Sequence, residues 1–197
     1  MNSSWFWIVT ALLGAFLMAL ILPAFDFDLR CASCWAFQRH RHGYSERPAS
    51  TYLKTIASAQ ADFRANDRDG DGVNQFWRAD IAGLYALTPG GGPAIRLIER
   101  RLAMADARPR YEIGAEGERA PLKGYWFRSI PGADEKTMDA GSRFAAVAYP
   151  ADYPKSGKYT FIVNENNTVF RADLGHGRGI DAFPLDDELH TKWSKLD

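Results

Sequence analysis

Tyr159-Thr-Phe-Ile-Val163-Asn164-Glu-Asn-Asn167-Thr168-Val-Phe-Arg171 decides the fold, because two short runs of β-branched and aromatic residues flank a turn-forming tetrad. Asn tolerates left-handed backbone, so Asn164 to Asn167 predicts the turn of a β-hairpin. The two-residue period of a strand puts Phe161 and Val163 on one face and Ile162 on the other. Upstream, Tyr125-Trp-Phe-Arg-Ser-Ile130 and Arg143-Phe-Ala-Ala-Val-Ala-Tyr149 have the same strand-forming composition. Four strands joined by fairly short connections predict an antiparallel sheet. Such a sheet must bury one face, and apolar helices earlier in the chain supply the cover. Downstream, Gly175-His-Gly-Arg-Gly179 through Trp193-Ser-Lys-Leu-Asp197 has no strong pattern.

The covering helices are legible from a period near 3.6. From Ser50, the residues Tyr52, Leu53, Ile56, Ala57 and Phe63 share one helical face, with Lys54, Thr55, Ser58 and Asp62 opposite. Gln60 is the single polar interruption of that stripe. Trp77, Ile81, Leu84 and Tyr85 predict a short second helix ending before Pro89, and Ile95, Ile98, Leu102 and Ala105 a third. Between the first two lies Asp67-Arg-Asp69-Gly-Asp71-Gly72-Val73-Asn-Gln75, with carboxylates at alternate positions. That is the D-x-D-x-D-G opening of a calcium loop, since a hard divalent cation takes six to eight oxygens and alternate residues of a tight turn can aim inward together. Gly72 takes the bend, Val73 offers its carbonyl, and Gln75 ligates directly or through water. Position twelve is Arg78 where a bidentate Glu is usual, which leaves Asp80 or Asn74 to close the site. The expected ligand set is therefore Asp67, Asp69, Asp71, Val73, Gln75 and Asp80, with Ca2+ as the cofactor. An Asp/Gly-rich surface turn held by side-chain to backbone hydrogen bonds is the alternative.

Of the 197 residues, acids and bases number 24 each, so no global charge favours nucleic acid, and aromatic residues do not alternate with basic ones. Residues 1–25 carry no charged side chain, and Trp5 to Phe25 is long and apolar enough to cross a bilayer as a helix. No Lys or Arg precedes the run and no small-x-small site follows it, so an uncleaved anchor is expected in preference to a signal peptide. The expected organisation is an anchor over 1–25, a juxtamembrane tether over 26–49 and a soluble α+β domain over 50–197. Arg30, Arg39, Arg41 and Arg47 all follow the span, which favours a cytoplasmic domain. The acidic loop argues for the opposite side, because weak calcium sites of about 10⁻⁴ to 10⁻³ M suit the outside of cells. The expectation is a single-pass protein with its domain periplasmic or extracellular.

A membrane helix, an amphipathic helix and then an antiparallel sheet is the order of type IV pilins and the pseudopilins of secretion systems. Tyr52-Leu-Lys-Thr-Ile-Ala-Ser-Ala-Gln-Ala-Asp-Phe63 resembles their membrane-distal spine. Leu53 to Trp77, Arg143 to Tyr153, Gly157 to Arg171 and the closing Trp193-Ser-Lys-Leu-Asp197 resemble a group of bacterial proteins with a pilin-like head. The resemblance implies an extracytoplasmic, anchored, non-enzymatic protein that partners the membrane and itself or other pilin-like subunits in a pilus-like or secretion-related assembly.

Other chemistry is thinly represented. Cys31-Ala-Ser-Cys34 can be a redox dithiol, a disulfide or half of a metal site with His40 and His42, although zinc motifs separate their halves by more. No Ser, Cys or Thr sits in a nucleophile elbow with a His partner, and His176 is the only histidine in a glycine setting. Gly90-Gly-Gly92 lacks the Lys-Ser/Thr of a phosphate loop. No catalytic residue and no small-molecule substrate is identified, so a non-enzyme is expected. Two function classes follow: a structural or interaction module with a calcium-ordered head, and a tethered thiol or metal protein working through Cys31 and Cys34.

Overall fold

The computed structural model describes residues 46–111, 113, 119–130 and 141–196. The chain divides into two units, Met1–His40 and Arg41–Asp197, and the described residues all belong to the second. Helix α1 covers residues 46–65. Ala49, Leu53, Ile56, Gln60 and Phe63 recur at three- and four-residue intervals along it and are all buried, which is the stripe that the sequence period requires. Leu53, Ile56 and Phe63 so buried each stabilise the fold by about 1.5–3 kcal/mol relative to exposure.

Strands β1 (Tyr125–Ser129), β2 (Ala145–Pro150), β3 (Thr160–Asn164), β4 (Val169–Ala172) and β5 (Ser194–Lys195) form one sheet in the order β1-β2-β3-β4-β5. Every neighbouring pair is antiparallel, so the sheet is a meander. Register is fixed by pairs such as Trp126 with Tyr149, Val147 with Ile162, and Ile162 with Phe170. At the β3–β4 turn Asn167 takes a positive φ of 56°, and the Asn164 side-chain oxygen accepts the amides of Asn166 and Thr168.

The two-residue period distributes the strands between two cores. Phe127, Ala146, Ala148, Phe161, Val163 and Val169 face α1, joined by Phe76, Ile81, Leu84 and Leu102 from the intervening segments. Ile130, Ala145, Val147, Ile162 and Ala172 face the other way and are covered by Trp193, with Leu174, Ile180, Phe183 and Leu189 packed around them. The sheet is thus covered on both sides, where the sequence predicted cover on one. Near-continuous burial along β2 and β3 is the corresponding signature, since a one-sided antiparallel strand would alternate.

Several expectations are corrected. The expected four-stranded sheet has a fifth strand, β5, and a short helix α4 (Asp186–Lys192) precedes it. The amphipathic helix does not wait for Ser50, because the chain is already helical from 46, inside the expected tether. The second and third predicted helices shrink to α2 (Gly83–Ala86) and α3 (Arg100–Met104), with a 3₁₀ turn at Pro89–Gly91 between them. The N–H groups of Ile81, Ala82 and Gly83 are taken by Asp side chains, so the segment before α2 is held by side-chain acceptors in place of a helical ladder. The predicted membrane-spanning helix, and the single-pass placement resting on it, are not supported: no helix among the described residues is long and apolar enough to cross a membrane. Residues 1–25 lie outside the described residues.

Candidate metal centre and a buried carboxylate clamp

The acidic loop begins where α1 ends. Asp62, in the last turn of α1, receives two guanidinium nitrogens of Arg68, the closer pair at 2.8 Å, and the Asn66 side-chain amide at 2.5 Å. Arg68 is thereby turned back onto the helix and does not neutralise the acids beside it. Asp67 has a φ of +44°, and Gly70 and Gly72 have φ of +71° and +83°, so the chain coils through left-handed positions that glycine takes without strain. Gly72 carries the bend expected of it. Its amide donates to Asp67 Oδ2 at 3.0 Å, and the Val73 amide donates to Asp71 Oδ1 at 2.8 Å.

The result brings Asp67, Asp69 and Asp71 together, with one carboxylate oxygen from each lying within 4.8 Å of the other two. Asp67 Oδ1 and Asp69 Oδ1 are buried and accept no hydrogen bond. Partial burial, the Asp71 charge and the Asp67 side chain hold the Asp69 carboxyl above its ordinary value. Three converging carboxylates, two with an unpaired oxygen, fit a hard divalent cation in donor chemistry.

Gln75 and Asp80 have side-chain groups engaged in other hydrogen bonds. Val73 is 54% exposed, and its amide serves the loop. Gln75 donates its amide nitrogen to Asp71 Oδ2 at 2.7 Å and so braces one of the three carboxylates. Asp80 is removed from the candidate set. It is buried and saturated, accepting Trp77 Nε1 and the Gly83 amide on Oδ1, and the amides of Arg110 and Tyr111 on Oδ2. Cys31 and Cys34, with His40 and His42, lie outside the described residues. His176 is exposed, and its Nδ1 accepts the Arg178 amide at 3.2 Å.

Asp80 is one half of a clamp that sequence reasoning missed. The other half is Asp106, whose Oδ2 accepts the amides of Ile81 at 2.7 Å and Ala82 at 2.9 Å while Oδ1 accepts that of Arg108 at 2.9 Å. Each carboxylate ties the segment 77–83 to the segment 106–111. Gly83 is required in this clamp, because a Cβ there would overlap the Trp77 indole that Asp80 holds. Burial pushes the Asp106 carboxyl up, opposed by its three amide donors and reinforced by the Asp80 charge. A third tie is Gln60, whose side-chain oxygen accepts the Trp77 amide at 2.9 Å while its nitrogen donates to the Trp77 carbonyl. The signal for this one was in the sequence as the polar break in an apolar stripe. Lone acids in irregular segments carry no such mark.

Taken together, the described unit is a small α+β protein with a helix on one face of an antiparallel meander and an acidic loop at the helix end. A family model described as "Protein of unknown function (DUF2950)" matches residues 23–182, and the chain belongs to that family. No curated protein and no solved structure matches it.

Proposed function

We propose that this chain is a non-catalytic structural or interaction module whose helix–sheet head is ordered by a divalent cation, calcium, at Asp67, Asp69 and Asp71. The observation that carries the reading is the convergence of the three carboxylates with two buried oxygens left unpaired. Like charges at that spacing repel, and a cation relieves the repulsion while cross-linking the end of α1 to the segment that enters the core at Phe76. The cation would take Asp67, Asp69 and Asp71 as its protein ligands; carbonyl oxygens or water fill the other positions that calcium requires. The carboxylates of the Asp80 and Asp106 clamp are occupied by main-chain amides, which suits a structural part better than an acid–base one. A long helix laid on a meander also supports the pilin-like reading of the head, with further copies or related subunits as partners.

The test is a thermal melt of the full chain in calcium and in chelator. A ligand that binds only the folded state, at a hundred times its dissociation constant, adds about 2.7 kcal/mol. Calcium should raise the Tm by several degrees, and Asp69→Ala should abolish the difference. Superimposable melts would remove the metal reading.

A further inference from the structure

The far face of the sheet carries a charged cluster unrelated to the acidic loop. Arg128 lies on β1 among residues that face the second core, and its side chain is only 7% exposed. Its Nη2 donates to the Ile180 carbonyl, its Nη1 meets Asp181 Oδ1 at 2.9 Å, and its Nε is buried without any partner. Asp181 is 75% exposed and is also approached by Arg108, at 3.4 Å on the same oxygen. A third guanidinium, Arg119, lies 6.0 Å from the ring of Trp126, which is the register partner of Tyr149. Burial holds the Tyr149 phenol above its ordinary value, and the charges of Arg128, Arg108 and Arg119 oppose that rise. The other acid within range, Asp106, has both oxygens turned to main-chain amides. Two guanidiniums, those of Arg108 and Arg128, therefore share one exposed carboxylate, while Arg119 donates to the Asp106 carbonyl at 2.5 Å.

The backbone is fitted closely around this cluster. A Cβ on Gly179 would come within 2.9 Å of the Tyr149 ring and 3.3 Å of Arg128 Nη2, so the backbone at Gly179 lies directly on it. An exposed ion pair contributes little, whereas a buried arginine needs anionic oxygens for its donors and offers them planar, paired geometry. Asp181 meets that need from a solvent-facing position where another anion can take its place.

From this geometry we infer that Arg108 and Arg128, beside Tyr149, form a binding site for a ligand bearing an oxyanion group, a phosphate or a carboxylate, with Asp181 acting as the resident internal anion that the ligand displaces. Phosphate and carboxylate ligands share this recognition chemistry and are separated by the test. The site is independent of the cation reading.

The experiment is isothermal titration of the full-length chain with inorganic phosphate and, separately, with succinate, at constant ionic strength set by chloride. Asp181→Asn removes the competing carboxylate from a largely exposed position and should tighten binding of one or both probes roughly tenfold. Adding Arg108→Gln to that variant should reverse the gain. Tighter phosphate with unchanged succinate assigns a phosphate-bearing ligand, and the converse assigns a carboxylate. Arg128→Gln should abolish binding, and far-ultraviolet circular dichroism establishes whether that variant folds. If it does not, the Asp181 and Arg108 variants decide. Asp181→Asn binding neither probe more tightly than the parent, or Arg108→Gln leaving the gain intact, would overturn the site.

Discussion

Replacing Asp106 tests the clamp most directly. Its carboxylate is fully buried and accepts the amides of Ile81, Ala82 and Arg108, the first two themselves buried. Asp106→Ala leaves those two N–H groups without an acceptor, and each such orphan costs about 1–3 kcal/mol. Relief from burying a charge returns part of this, so the expected net loss is about 2–4 kcal/mol. Asp106→Asn keeps one acceptor oxygen for Ile81 and Ala82 and turns an NH₂ toward the Arg108 amide, so it should lose about 1–3 kcal/mol. The two variants also separate the pH dependence. Burial raises the Asp106 carboxyl above its ordinary value, so the folded state holds that proton more tightly than the unfolded chain. The stability that it contributes is full below the ordinary carboxylate range and is lost as pH rises through the raised folded value. Both variants should therefore flatten the fall in stability over that window. Urea denaturation of the parent and variants across a series of pH values reads both effects. An Asp106→Ala midpoint within about 0.5 kcal/mol of the parent, the range of an ordinary surface change, would refute the clamp.

Phe161 is buried on the helix-facing side of β3, so Phe161→Ala should cost about 3–5 kcal/mol in the same assay, while His176→Ala, on an exposed loop, should leave the midpoint in place. Asp173 has the opposite pH sign to Asp106. Burial pushes its carboxyl up, but the Gly175 amide, Lys158 and Tyr153 together outweigh it and hold the value below the ordinary one. Its contribution is present above the ordinary carboxylate pKa and is lost as pH falls through the lowered one, so Asp173→Asn should reduce acid sensitivity in a pH melt; an unchanged acid limb would refute this.

Much of the sheet was legible because strand period and turn chemistry are local. The four predicted strands appear within two residues of their expected ends, and Asn167 supplies the left-handed turn residue anticipated between the last two. β5 was invisible because a two-residue exposed strand has no period to read. The second and third helices were overcalled because Ile81, Leu84, Ile98 and Leu102 do face the core at helical spacing, yet Asp106 and Asp80 take the amides of residues 81–83, and those of Ile95 and Leu97 go to the Leu87 and Leu84 carbonyls. The three loop carboxylates were identifiable from alternate spacing alone. Asp80 was misassigned because its distance along the chain says nothing about the four donors that saturate it. Arg128 carried a readable signal, a single cation in an aromatic-rich strand, but its partner Asp181 lies 53 residues away and only the folded chain brings them together.

The strand order has a kinetic meaning. Because β1 to β5 pair strictly in sequence, no ladder waits for an intervening strand, and the hairpin from β3 to β4 closes over only a short turn. Loop-closure entropy grows slowly with loop length, and chains rich in local contacts cross their folding barrier quickly. The costly search is left to α1, which must find the sheet from far upstream. A tie to main chain on the way is the Gln60–Trp77 pair, spanning 17 residues around the acidic loop. The turn that carries the converging acids is thus also the loop that this tie closes.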